Sequence, residues 1–175
     1  ALGAVAVAAS CTTPRSAGRY RDPRNPFTLG VASGDPLAHA VIIWTRLAPD
    51  PTAGDGGLGG RSFRVTWEVS LDETFSDVLF SGTAVAQAQW GHSVHVDVTE
   101  LEQGVEFFYR FRAGAHTSPV GRTATMPLHT LPSSWTIAAL SNHPSSGPLP
   151  LYRKVVASAP DLVVFLGGYG GRGAS

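Results

Sequence analysis

Arg61-Ser-Phe-Arg-Val-Thr-Trp-Glu-Val-Ser70 alternates strictly: Phe63, Val65, Trp67 and Val69 point one way, and Arg64, Thr66 and Glu68 the other. A period of two over ten residues describes a β-strand with one face buried and one face wet. The same grammar extends in both directions. Downstream, residues 78–86 read as a strand, Val94, Val96 and Val98 alternate within residues 93–98, and residues 106–112 and 120–125 follow. Upstream, residues 27–33 precede the turn cluster Gly34-Asp35-Pro36, and residues 40–46 form another strand with Trp44 as an expected core anchor. About seven strands at ~8–15-residue spacing predict an antiparallel β-sandwich. Full burial of Trp44 and Trp67 is expected to stabilise it by several kcal/mol, at ~25 cal/mol per Å². The loop 49–60 holds five glycines and two prolines, and is expected to be exposed and mobile.

After Met126 the pattern changes. Residues 128–134 read as a polar connector, and residues 135–140 as a strand of buried type. Residues 148–157 read as a helix opening on proline, and Asp161-Leu-Val-Val-Phe-Leu-Gly167 contains a second buried strand. Strand, helix, strand predicts one βαβ unit with parallel strands. One such unit cannot cover both faces of its own sheet, so the reading is of an α/β domain that begins near Trp135 and is incomplete.

With 175 residues and 43% apolar content the chain can build a real core. Thirteen basic residues balance thirteen acidic ones, which supplies no electrostatic footprint for nucleic acid. Arg15, Arg19, Arg21 and Arg24 lie among prolines in residues 12–26, read as a solvated linker. The single cysteine, Cys11, excludes an internal disulfide. Residues 1–9 are small and apolar, too few to span a bilayer as a helix, and look like the later half of a signal peptide whose charged start is absent. Export to the periplasm, cell surface or exterior is therefore expected. Lipidation at Cys11 and an Ala-rich helix start are the alternatives for this segment.

Several separate motifs resemble the amino-terminal region of PhoD-like alkaline phosphatases. They are Pro26-Phe-Thr-Leu-Gly-Val-Ala-Ser-Gly-Asp-Pro36, Val41-Ile-Ile-Trp-Thr-Arg-Leu-Ala-Pro49, Trp67-Glu-Val69, Gly91-His-Ser-Val-His-Val96, Phe108-Tyr-Arg-Phe-Arg-Ala-Gly114 and Ser118-Pro-Val-Gly-Arg-Thr123. The resemblance implies an immunoglobulin- or fibronectin-like domain ahead of a metallophosphoesterase domain, export, a phosphate-ester substrate, and calcium and iron in the parent enzyme. It divides the chain into a truncated signal segment (1–11), a linker (12–26), the β-sandwich (27–127) and an incomplete metallophosphatase domain (135–175).

The metal ligands that the resemblance implies are not preserved. A Ser-Cys pair is expected where Ser141 and Asn142 stand, and Gly-Asp-Tyr plus a second tyrosine where Gly167, Gly168, Tyr169 and Gly171 stand. Metal-assisted ester hydrolysis needs charged or imidazole ligands to hold a cation that polarises the phosphoryl oxygen and acidifies bound water. Glycine brings only its backbone, and the family's further Asn, Asp and His ligands would fall beyond Ser175. No catalytic, cofactor-binding or metal residue is therefore assigned, and the chain is expected to be inactive by itself.

Other polar residues have plainer readings. His92 and His95, three apart on a strand, face opposite ways and are read as surface or turn residues. His143 follows a strand end without a second ligand nearby. Asp35 forms a turn, and the glycines at 167–171 lack the Lys-bearing helix of a phosphate loop. Phe107 closes Leu101-Glu-Gln-Gly-Val-Glu-Phe107, a corner where a tyrosine usually hydrogen-bonds nearby backbone, so Phe107→Tyr is expected to stabilise. Two readings compete with a phosphatase front part: a secreted β-sandwich binding module, and a frameshifted copy altered from about Asn142 onward.

Overall fold

The computed structural model describes residues 17–127, 134, 136–141 and 150–167. They fall in two units divided at Leu128.

The first unit holds eight strands: β1 (Val31–Gly34), β2 (Val41–Arg46), β3 (Phe63–Ser70), β4 (Val78–Ala86), β5 (Ser93–Val98), β6 (Glu106–Ala113), β7 (His116–Thr117) and β8 (Gly121–Ala124). β1, β2 and β5 make one antiparallel sheet, in that order. The other runs β4-β3-β6, with β7 and β8 both paired to β6. This three-on-five arrangement is an immunoglobulin/fibronectin-like sandwich, as the strand spacing predicts.

Alternation places the core. Val41 and Ile43 of β2 and Val94, Val96 and Val98 of β5 are buried from one sheet; Phe63, Val65, Val69, Phe107, Tyr109, Phe111 and Ala113 meet them from the other. The one polar intruder on β2, Thr45, is fully buried because its hydroxyl donates to the Gly30 carbonyl at 2.9 Å.

Four expectations change on contact with the structure. Trp44 is not a core anchor: on β2 the buried positions are Val41, Ile43 and Thr45, so period two sends the residue between them outward. Its half-buried ring lies 6.2 Å from that of His95. Trp67 lies on the inner face but is half-buried as well, spread over Gly82, where a Cβ would sit 2.6 Å from the indole. The burial contribution expected of two tryptophans thus shrinks.

Residues 17–26 are not a solvated linker. Gly18 bridges Phe63, accepting from Arg64 N at 2.9 Å and donating to Ser62 O at 3.0 Å. Tyr20 is 2% exposed, packed edge-on against Phe63, with its hydroxyl donating to Arg24 O at 2.8 Å. Arg19, Arg21 and Arg24 do stay exposed. The loop 49–60 is likewise pinned, with Leu58 buried in the core. Its backbone is tied by Asp50 N to Gly56 O at 3.0 Å, and the Asp55 carboxylate accepts from Gly57 and Gly59 N–H groups.

The second unit is β9 (Ile137–Leu140), α1 (Pro150–Ala157) and β10 (Leu162–Phe165). β9 and β10 pair in parallel, from Ile137 beside Leu162 to Leu140 beside Phe165. The strand–helix–strand expectation holds, with the helix opening on Pro150 rather than Pro148, whose position lies outside the described residues. Asp161 locks the start of β10 to Thr136: its N–H donates to Thr136 O at 2.9 Å, and its carboxylate accepts from Thr136 N at 2.8 Å. Ile137, Leu162, Val163 and Phe165 remain exposed on these strands. That is the state expected of a parallel sheet with two strands among the described residues.

Candidate functional site

In parallel α/β sheets, ligand-binding groups gather beyond the carboxyl ends of the strands. At the end of β9 stands exposed Ser141, after buried Leu140. At the end of β10 stand Leu166 and Gly167, the glycine at φ +124°. Leu166 N donates to Leu140 O at 2.7 Å, so the ladder closes just where a site would begin. Asn142, His143, Gly168, Tyr169 and Gly171 lie outside the described residues, as does Cys11. Ser141 offers one hydroxyl and Gly167 only its backbone. No group of three or more His, Cys, Asp or Glu side chains is gathered among the described residues.

The histidines of the sandwich do not converge. His92 is 1% exposed, which corrects its surface reading; it does lie in a turn, at φ +61°. Its Nε2 lies 2.8 Å from Arg61 O, and its ring packs 6.1 Å from Phe63. His95 is exposed on the outer face of β5. The two rings are separated, though not by strand alternation: His92 precedes β5 in the turn and only His95 lies on the strand. His39 Nδ1 lies 2.8 Å from Leu101 O, and His116 Nε2 lies 3.1 Å from Asp22 O; each ring is spent on tying loops together. Asp35 holds a left-handed backbone conformation at φ +48° directly after β1.

The charged constellations are structural too. Asp22 accepts from the Arg24 guanidinium at 2.7 Å, and that hydrogen bond holds the carboxyl down at about 2. Asp72 is lowered further, first by Thr74 and then by the hydroxyls and N–H of Ser76 and Ser70 that close the β3–β4 turn. Burial pushes the Tyr109 phenol up to about 12, against a hydrogen bond with Ser33 that pulls the other way. Glu68 joins Arg110 at 2.5 Å and Arg112 at 3.4 Å, while Arg110 stacks 3.9 Å from the centre of the Phe75 ring. Open concavities mark the surface among the described residues. One of about 490 Å³ is lined by Ala84, Val85, Trp90, Ser93, Val94 and His95, and one of about 530 Å³ lies around Tyr20 and His116. Neither brings together the nucleophile, base and charge-stabilising donors that catalysis demands.

A fibronectin-like sandwich followed in the chain by a parallel strand–helix–strand defines a protein whose all-β region precedes an α/β region. Residues 11–127 match the family model described as PhoD-like phosphatase, N-terminal domain, and the chain belongs to that family. It is 42% identical over 146 residues to alkaline phosphatase D of Bacillus subtilis (strain 168), an alignment covering 82% of this chain and 25% of that protein. It also superposes on a solved structure of PhoD with a TM-score of 0.78 and 41% identity, over 86% of this chain and 29% of that one. The chain thus spans about a quarter of the length of the curated relative it matches.

Proposed function

We propose that this chain is the front part of an exported PhoD-like alkaline phosphatase or phosphodiesterase: its β-sandwich domain and the first strands of the hydrolytic domain. The observation that carries this reading is the structural likeness to PhoD, which covers 86% of the chain and so takes in more than the sandwich. The parent enzyme hydrolyses phosphate esters with calcium and iron.

The residues at hand do not fit those metals. Hard cations are held by carboxylates and carbonyls, and iron by imidazole, carboxylate, phenolate or thiolate. The described ends of β9 and β10 present Ser141 and Gly167, and the substituted positions after them add Asn142 and Gly168. No hydrolytic step is assigned to this chain. Purified chain assayed on an aryl phosphate with added Ca²⁺ and Fe³⁺ is expected to show no metal-dependent turnover. Turnover that follows the added metal and disappears with a chelator would refute the reading. Export rests on the small apolar segment 1–9; fusing residues 1–26, headed by Met and a short basic stretch, to a reporter active only outside the cytoplasm tests it, and a silent reporter would sink it.

A further inference from the structure

The sandwich manages its sheet edges unequally. β1 is four residues long and β7 only two. β5 carries His95 and Asp97, and β8 carries Arg122 in an ion pair with Glu106 at 2.9 Å. Short length and charge are the usual means of keeping an edge from pairing with another chain. β4 has neither. Val78-Leu-Phe-Ser-Gly-Thr-Ala-Val-Ala86 runs nine residues without a charge or a proline. Among the described residues it pairs only with β3. A bulge opposite Val69 and Ser70 disturbs its first two residues and leaves 80–86 regular.

We propose that this edge pairs antiparallel with β4 of a second copy of this chain, about a two-fold axis at Thr83. Phe80 then faces Ala86 of the second copy, and Ser81 faces Val85, merging two five-stranded sheets through an isologous contact. Charge selects this partner and this direction. The β3–β4 turn carries Asp72, Glu73 and Asp77 and no basic residue, whereas the far end of the same hairpin carries exposed Arg61 and Arg64, the latter beside Val85. Antiparallel pairing lays the acidic end of each copy against the basic end of the other. Parallel pairing would set acid against acid. Seven paired residues bury less than the ~800 Å² per partner of a standard interface, so the dimer exchanges quickly and forms at high concentration.

Sedimentation equilibrium of the 175-residue chain over a wide concentration series tests this. The weight-average mass is expected to climb from the 18.3 kDa of one chain toward twice that value. Thr83→Lys sets two ammonium groups opposite each other on the axis and is expected to weaken association roughly tenfold or more, with the thermal unfolding curve unchanged. In a Cys11→Ser background, Thr83→Cys should cross-link copies on mild oxidation, while Leu71→Cys in the exposed turn should not. A chain that stays single at every concentration overturns the proposal. So does a dimer that survives Thr83→Lys, or, should that variant not fold, one that Thr83→Cys leaves uncross-linked. The phosphatase assay is indifferent to all of these outcomes.

Discussion

Thr125 does the work at the β5–β6 corner that a tyrosine was expected to do. It is 3% exposed; its hydroxyl donates to Glu102 O at 2.6 Å and accepts from Val105 N at 3.2 Å, while its own N–H donates to Val105 O at 3.1 Å. Thr125→Val keeps the shape and strands both backbone partners, so a loss of about 1–3 kcal/mol is expected in urea unfolding. The same geometry reverses the expectation for Phe107→Tyr. Phe107 is 1% exposed and the corner's carbonyl and amide are already engaged, so an added hydroxyl enters the core as an uncompensated polar group. A lower melting temperature is now expected, and a higher one would argue against this placement. Gly121 is a second point of tight tolerance. A Cβ there would sit 2.3 Å from the Tyr109 ring, and Gly121→Ala should cost roughly 1–3 kcal/mol through overpacking.

At the scale of elements, the segment 17–26 behaves as part of the sandwich although its composition reads as linker. Arginine and proline dominate it, and only Tyr20 reveals its attachment. A single aromatic in a polar stretch carries no periodicity, which is why the docking was not legible. Tyr20→Ala is expected to cost about 3–5 kcal/mol, far more than a residue in a true linker could. Measuring the shift in urea midpoint separates the two descriptions. The strands themselves were legible because one face is buried and period two then sorts every residue. Trp44 misled because size was weighed ahead of register: it stands at an outward position of β2 whatever its volume. At the candidate site the sequence was more informative than the backbone. The resemblance implies cysteine and aspartate where Asn142 and Gly168 stand, a difference of residue identity at two positions that lie outside the described residues.

For the whole molecule, acid sensitivity follows from its exposed carboxylates. Asp22, Asp50, Asp55 and Asp72 are all lowered from 3.8 in the folded state, Asp22 to about 2 and Asp72 beyond that. A group depressed on folding stabilises the fold fully above its unfolded value and loses that contribution as pH falls through its folded value. Stability should therefore be flat near neutrality and decline from about pH 5 down to pH 2. Asp72→Asn should lower the plateau and make the decline shallower, as denaturant midpoints at several pH values would show. The sandwich holds its strand pairings and its core within residues 17–127. A chain ending at Leu128 is expected to keep the sandwich transition of the full chain; a large fall in its midpoint would show that residues 129–175 support the sandwich.

The two-stranded parallel sheet of β9 and β10 has a consequence for the order of events during synthesis. A ribosome delivers the chain amino end first, and domains generally fold as units as they emerge. Every strand of the sandwich finds its partners within residues 17–127, so that unit can close while translation continues. On β9 and β10, which emerge later, Ile137, Val163 and Phe165 stay open to water among the described residues. They are the stretch a chaperone would hold.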